Sequence, residues 1–271
     1  MGNELTVNTQ ADDVAMAFVS ARREARALDA YPGIKPQELQ AAYTIQDRAI
    51  VLDGRQVIGW KVGRINPPLD GQLGANRLSG PIFADSIVDG ADGSMPDMPV
   101  FEGGFAAGEA EILLHVAPGF SGAVPVDDAG TKALLDDIRL GIEIASSPYP
   151  GINTDGPLVT VSDFGNNAGL VQGPSLAGWR DIDLCAIPVR SEIDGAVVGA
   201  ATAATMLDGP YGAVRFLLTN LMARGVDVSS GLWVSTGAIT GVHEIGIGQS
   251  YKAVFEGCGD VQCRIVAATP R

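Results

Sequence analysis

The chain has 271 residues, 46% of them hydrophobic, enough to bury a sizeable core in one large domain or two small ones. Its 32 acidic residues outnumber 18 Lys and Arg, and the formal net charge of -14 disfavours nucleic acid and anionic membranes, whose binding depends on basic patches. Three cysteines, Cys185, Cys258 and Cys263, show no CxxC spacing, which argues against a disulfide framework or a zinc knuckle. Glu4, Asp12 and Asp13 stand where a secretory signal would carry Lys or Arg, and no apolar run reaches the length of a membrane span, so a reduced, cytoplasmic setting is the expectation.

In chain order, Val14, Phe18, Ala21, Ala25 and Leu28 recur at helical spacing and predict a helix from Ala11 to Leu28, with Thr9 or Asp12 as its cap. The segment KPQELQAAYTIQDRAIVLDG predicts a second helix, with Pro36 near its first turn and a stop before Gly54. VIGWKVG then reads as a strand without an intervening linker. Residues 1–60 are therefore expected to form an N-terminal helical cap packed on a β-rich catalytic domain, 61–271. From Gly80 onward, short apolar runs such as SIVDG, EAEILLHV, IEIA, GLVQG, IPVRSEI, LWVSTG and YKAVFEG alternate with turn residues and predict strands. Two helices interrupt them: a short one over Thr131 to Ile138, and one opened by Asp208, Gly209 and Pro210, with a buried stripe of Val214, Leu217, Leu218, Leu221 and Met222 and a stop at Gly225. No internal repeat or low-complexity tract is present.

Glu109 and Glu111 in GEAEILLHV carry the strongest chemical signal. A strand points both carboxylates to one face, about 6–7 Å apart, which suits one cation. Paired Glu at alternating positions also occurs on the solvated face of an antiparallel strand. Here Leu113 and His115 continue the Glu face while Ala110, Ile112 and Leu114 take the other, so both faces read as mostly buried. Glu143 in GIEIAS again sits between two isoleucines. A buried carboxylate costs several kcal/mol unless it is paired, hydrogen-bonded or metal-bound. Three such oxygens suit Mg²⁺ or Mn²⁺. His115 is either a satisfied core residue or a fourth ligand.

Lys61 lies between Gly59 and Gly63, which let a ligand approach the backbone; it is either a solvated strand lysine or the group that binds a carboxylate or shuttles a proton. In VSDFGNNAGLVQG, Asp163, Asn166 and Asn167 either hydrogen-bond a turn or line a pocket. GAITGVHEIGIG brings Thr236, Thr240 and His243 close to Gly237 and Gly241, in a loop able to offer N–H donors to a substrate carboxylate. GxGxxG, GxxxxGK[ST] and GxSxG are all missing, so nucleotide binding and serine hydrolysis find no support.

The ordered segments AAYTIQD, GWKVG, LGA, GEAEILL, GIEIAS, SDFGNNAGLVQG, GPYGAVRFLLTNLMARGVDVSSGLWVSTGAITGVH and GCGDVQCRI resemble the 2-keto-4-pentenoate hydratase and 4-oxalocrotonate decarboxylase group of the fumarylacetoacetate hydrolase superfamily, from about Ala41 to Ile265. The resemblance implies an α+β fold, a mixed β-roll with an N-terminal helical cap, and Mg²⁺ or Mn²⁺ held by Glu109, Glu111 and Glu143. It also implies a homo-oligomer, often a pentamer or decamer, and Lys61 matches the family's active-site lysine. Departures stand beside it. Where many relatives have a longer acidic segment after the LG pair, this chain reads LGANRLSGPIF, with Asn76, Arg77 and Ser79. The GLTS-like continuation after the lysine is replaced by GRINPP, which turns Arg64 toward the substrate, and Asn166 and Asn167 replace small serines.

The expected partner is a small 2-oxo or 2-hydroxydienoic acid. The expected activity is a hydratase that adds water to a 2-hydroxy-2,4-dienoate and yields a 4-hydroxy-2-oxo acid, with Lys61 and a water-orienting Asp163 as catalytic residues and Arg64, Asn167 and Thr240 as substrate-binding residues. The alternatives are a 4-oxalocrotonate-type decarboxylase, favoured if Arg64 or Arg77 faces a second carboxylate, and a catalytically idle partner subunit.

Overall fold

The computed structural model describes residues 2–271, with side chains from Gln10 onward. Among them, no helix is long and apolar enough to cross a membrane. Two helices, α1 (Gly2–Arg23) and α2 (Leu39–Asp53), precede β1 (Val57–Arg64), and the short α3 (Leu69–Leu73) leads into β2 (Arg77–Phe83), β3 (Ile87–Asp89) and β4 (Asp97–Val100). The long hairpin strands β5 (Phe105–Val116) and β6 (Leu135–Ser147) flank α4 (Asp128–Ala133), and α5 (Pro157–Ser162) leads to β7 (Asn167–Ser175), β8 (Pro188–Ile193) and β9 (Ala196–Thr202). Helix α6 (Gly209–Ala223) is followed by β10 (Leu232–Ser235), β11 (His243–Glu244), β12 (Ser250–Phe255) and β13 (Gly259–Ala267).

The strands form two mixed sheets, neither closed into a barrel. One runs β2-β1-β10-β5-β6-β7-β3 with β11 added to β5, and the other runs β4-β13-β12-β8-β9. Alternation along β5 and β6 divides the larger sheet into two chemically different faces. Ala110, Ile112, Leu114, Ile142 and Ile144 point into the main core, which they share with Tyr251 of β12, Ile265 of β13 and Leu217 of α6. Each isoleucine and leucine among them contributes about 1.5–3 kcal/mol by leaving water. The opposite face carries the acids, and α1, α2 and α5 cover it, with Val14, Phe18, Ile45 and Val159 packed on Phe83 and Phe164.

Several expectations need correction. Helix α1 starts well before Ala11, so Asp12 is no cap; it lies within the helix and pairs with Arg48 at 3.3 Å, while the Thr9 side chain falls outside the described residues. The helix stops at Arg23 because Ala25 turns left-handed (φ 50°), and Leu28 belongs to the following loop, its N–H bonded to the Pro148 carbonyl. The predicted helix over Thr131 to Ile138 is displaced to Asp128–Ala133, capped by Asp127, since Leu135 onward pairs with β5; partner strands override the local apolar spacing. Met222 is 43% exposed and lies outside the α6 stripe, although the Asp208 start and the left-handed Gly225 (φ 74°) behave as expected.

Candidate metal centre and active-site cavity

Strand register assembles the site. Glu109 of β5 lies directly opposite Glu143 of β6, Glu111 lies opposite Gly141, and Ser235 of β10 bridges Leu113 of β5 to Lys61 of β1. Directly paired residues share a face, so the three acids, Lys61 and Ser235 all project to the side away from the main core. Gly141 leaves room for Leu113, which packs with Ile82 and Leu170 as an apolar floor.

Ligand oxygens of Glu109, Glu111 and Glu143 lie within 4.8 Å of one another. Lys61 Nζ is 3.1 Å from Glu143 Oε1, which also accepts from Asn167 Nδ2 at 2.9 Å. Glu111 Oε2 accepts from the Ser235 hydroxyl and from the Gly237 N–H, the latter at 2.9 Å. Two carboxylate oxygens, Glu111 Oε1 and Glu143 Oε2, are buried without a partner. Burial pushes the Glu109 carboxyl up to about 7 against the pull of Lys61. It raises Glu111 well above the usual carboxylate range, with Glu143 and Glu109 adding to the effect. Burial works against the Lys61 ammonium, but Glu143, Glu109 and Glu111 together more than offset it and hold Lys61 above the ordinary lysine value. One ammonium therefore faces three buried acids. The two orphaned oxygens and the all-oxygen donor set fit a hard divalent cation of the Mg²⁺ or Mn²⁺ kind.

A cavity of about 730 Å³ opens over Lys61 and Glu109, walled by Arg64, Arg77, Asn166 and Thr240. Arg77 is neutralised by Asp208, which also pairs with Arg215 at 3.3 Å. Arg64 is exposed at the wall. The Thr240 hydroxyl is shared with Ser191 Oγ at 2.6 Å and His243 Nε2 at 3.1 Å. Two N–H donors of the loop after β10 serve the protein itself: Gly237 bonds Glu111, and Ile239 bonds the Ala110 carbonyl at 3.0 Å. His115 is outside the acid cluster, half-buried, bonded to Asp136 at 2.6 Å and tilted against Trp233.

Two site expectations need correction. Asp163 does not face the cavity. Its Oδ1 accepts from Arg22 Nε at 2.5 Å, and its Oδ2 accepts from the second Arg22 nitrogen at 2.9 Å and from Ser147 Oγ at 2.6 Å. A carboxylate held in this way, buried and outside the cavity lining, is not placed to orient water there. Asn167 likewise turns to Glu143 instead of the cavity, and Asn166 takes the cavity position. The exchange arises from three successive left-handed residues, Phe164 (φ 55°), Gly165 (φ 63°) and Asn166 (φ 66°). Left-handed backbone costs roughly 1–2 kcal/mol for a residue with a side chain. Gly80 makes the turn possible, since a Cβ there would overlap the Phe164 carbonyl.

Arg22, the partner of Asp163, is a residue that periodicity did not single out. It lies four residues after Phe18, hence on the buried face of α1, and that spacing was its one signal in the sequence.

The fold, two mixed sheets with an acid triad on one inner face, is that of the fumarylacetoacetate hydrolase superfamily. The curated relatives the chain resembles are named 2-keto-4-pentenoate hydratase and 4-oxalocrotonate decarboxylase. No family model matches the chain. It is 27% identical over 232 residues to a 4-oxalocrotonate decarboxylase of Pseudomonas putida, covering 83% of this chain and 84% of that one. It is 26% identical over 266 residues to a 2-keto-4-pentenoate hydratase of Burkholderia vietnamiensis, covering 93% and 97%. Among solved structures, 4-oxalocrotonate decarboxylase from Pseudomonas putida G7, complexed with magnesium and adipate, superposes with a TM-score of 0.77 at 21% identity, covering 95% of this chain and 98% of that one. Fumarylpyruvate hydrolase from Pseudomonas aeruginosa, in complex with Mn²⁺ and pyruvate, gives 0.57 at 16% identity, covering 79% and 91%.

Proposed function

We propose that this chain is a divalent-metal-dependent hydro-lyase that adds water to a 2-hydroxy-2,4-dienoate and releases a 4-hydroxy-2-oxo acid. The observation that carries the reading is the single sheet face on which three buried acids with two orphaned oxygens meet one buried ammonium beneath a cavity. Glu109, Glu111 and Glu143 would hold the cation, which when bound supplies Lewis-acid stabilisation to the oxygens of a 2-oxo acid. In the substrate, the 2-hydroxyl proton leaves and a proton arrives at the terminal carbon, which gives an α,β-unsaturated ketone. Water then forms a C–O bond at C4, and C3 takes the second proton. Lys61, whose acidic neighbours favour its ammonium form, is a donor and charge partner for the anionic substrate. Hydration leads because the ordered sequence motifs run end to end as in the hydratase branch; relatives of both activities stand at similar identity.

The second reading, decarboxylation of a 2-oxo dicarboxylate, rests on Arg64, a cation at the cavity wall that would face a distal carboxylate. There the C–C bond to that carboxylate breaks, carbon dioxide leaves, and the electron pair moves into the dienolate. The fit to a homo-oligomer and a cytoplasmic setting is part of the same proposal. Incubation of the purified protein and Mg²⁺ with 2-hydroxypentadienoate and with 4-oxalocrotonate, following dienol absorbance and carbon dioxide release, separates the two. Turnover of neither would sink both.

Lys61→Ala is expected to lower turnover about 10²–10⁴-fold, the range for loss of a positioned proton donor. Metal affinity, measured by titration calorimetry, should change far less, because the acids remain. Equal loss of both would make the lysine a structural residue.

A further inference from the structure

We propose that Asn166 is a substrate-contacting residue whose Oδ1 accepts a hydrogen bond from an O–H group in the cavity, and that Arg22 is the positioning residue that holds it there. The inference rests on the proposed reaction for the identity of that O–H group. Asn166 is 2% exposed, lines the cavity, and has its Oδ1 buried without a partner. Its nitrogen is directed to Asn153 Oδ1 at 3.4 Å, another residue of the same wall. A buried acceptor in native protein finds a donor, and the one left open here belongs to a residue that lines the space where substrate binds.

The residue reaches that position through an unfavourable turn. With Phe164, Gly165 and Asn166 all left-handed, the chain reverses its side-chain parity just before β7, so Asn166 enters the cavity and Asn167 turns to Glu143. Arg22 spans this turn from both ends. One of its terminal nitrogens reaches the Asp163 carbonyl at 3.4 Å and the other the Asn167 carbonyl at 3.1 Å, while the Asp163 carboxylate grips the same guanidinium. The guanidinium also lies over the Phe164 ring, 5.1 Å from its centre. A helix outside the sheet thus fixes a side chain inside the cavity, and such strained turns persist where surrounding contacts over-determine them.

The donor is either the water that adds to C4 or the substrate's own 2-hydroxyl, and the two leave different signatures. If it is water, Asn166→Ala lowers kcat about tenfold to a hundredfold with KM within twofold. If it is the substrate hydroxyl, KM rises by a similar factor, and calorimetric titration of the Mg²⁺-loaded variant shows weaker lactate binding with pyruvate binding unchanged. Arg22→Lys keeps the charge but cannot bracket both carbonyls, and it should reproduce the same kcat or KM pattern at roughly a third to a tenth of the size. In the Asn166→Ala background it should add less than twofold, a non-additivity that general destabilisation would not produce.

Wild-type kinetics in Asn166→Ala overturn the assignment to Asn166, and additive losses overturn the role of Arg22. If the unaltered protein turns over neither dienoate, the proposed function fails on its own account. With no hydration to supply an attacking water, the ligand hydroxyl is the donor that remains, and wild-type affinities of Asn166→Ala for both lactate and pyruvate would sink this inference as well.

Discussion

Glu111→Gln is expected to abolish magnesium-dependent turnover, by more than about a hundredfold, while leaving the metal-free protein at least as stable as the wild type. Loss of residues that merely support metal ligands costs 10–100-fold in affinity or activity, so loss of a ligand should exceed that. The stability half of the expectation follows from electrostatics. Glu111 is fully buried, burial disfavours its charge, and Glu143 and Glu109 repel it. A neutral amide removes that repulsion. Its oxygen can still accept from Ser235 and from the Gly237 N–H, and its nitrogen can donate toward Glu143 or Glu109.

Magnesium at a hundredfold excess over its dissociation constant should stabilise the wild type by about 2.7 kcal/mol, provided it binds the folded state alone. For a chain of this size that corresponds to several degrees in Tm, on the order of 2–4 °C per kcal/mol. Glu111→Gln should show no such increment. Thermal melts of both proteins with and without Mg²⁺ test this without any substrate. A variant that keeps the magnesium shift would remove Glu111 from the metal set.

The acid triad was legible because it rests on strand parity, a local property. Glu109 and Glu111 share a face by the two-residue repeat, and apolar neighbours on both faces of GEAEILLHV marked them as buried. What parity alone does not yield is which residue of another strand stands opposite. That Glu143 meets Glu109 is a fact of register between segments joined by a long connection. Helix α6 was legible for a similar reason, since Asp208, Pro210 and Gly225 are local stop and start signals.

The failures share one physical cause. In SDFGNN the residue types leave open whether Asp163, Asn166 and Asn167 hydrogen-bond a turn or line a pocket, and the conformation of the turn decides which of them does which. Three successive residues are left-handed; Gly165 and Asn166 are types that tolerate the conformation, and Phe164 is the one whose side chain does not advertise it. It is stabilised from 141 residues away, by Arg22. In the same way, Leu134, Leu135 and Ile138 carry helical spacing, yet the chain from Leu135 is strand because β5 supplies the hydrogen-bonding edge. Local chemistry decides faces and caps; distant partners decide strain and register.

Arg22→Met is expected to cost about 3–5 kcal/mol of stability, the usual consequence of removing one partner from a buried ion pair. Arg22 is 5% exposed and Asp163 1%, so little water reaches either group. The methionine would leave the Asp163 carboxylate charged and buried, with Ser147 as its remaining side-chain donor. It would also strip the Ser146 and Asn167 carbonyls of the donors that Arg22 gives them at 3.0 and 3.1 Å. Against a total stability of roughly 5–15 kcal/mol, this loss is large. The double change Arg22→Met with Asp163→Leu separates a structural pair from a water-orienting acid. Replacing both charges with apolar groups relieves the stranded carboxylate, so stability should recover in part, limited by the two carbonyls that stay unsatisfied. Urea unfolding of the single and double variants measures the difference. If Arg22→Met melts like the wild type, or if the second substitution recovers nothing, the carboxylate does not depend on Arg22, and Asp163 returns to consideration as a residue that acts on water.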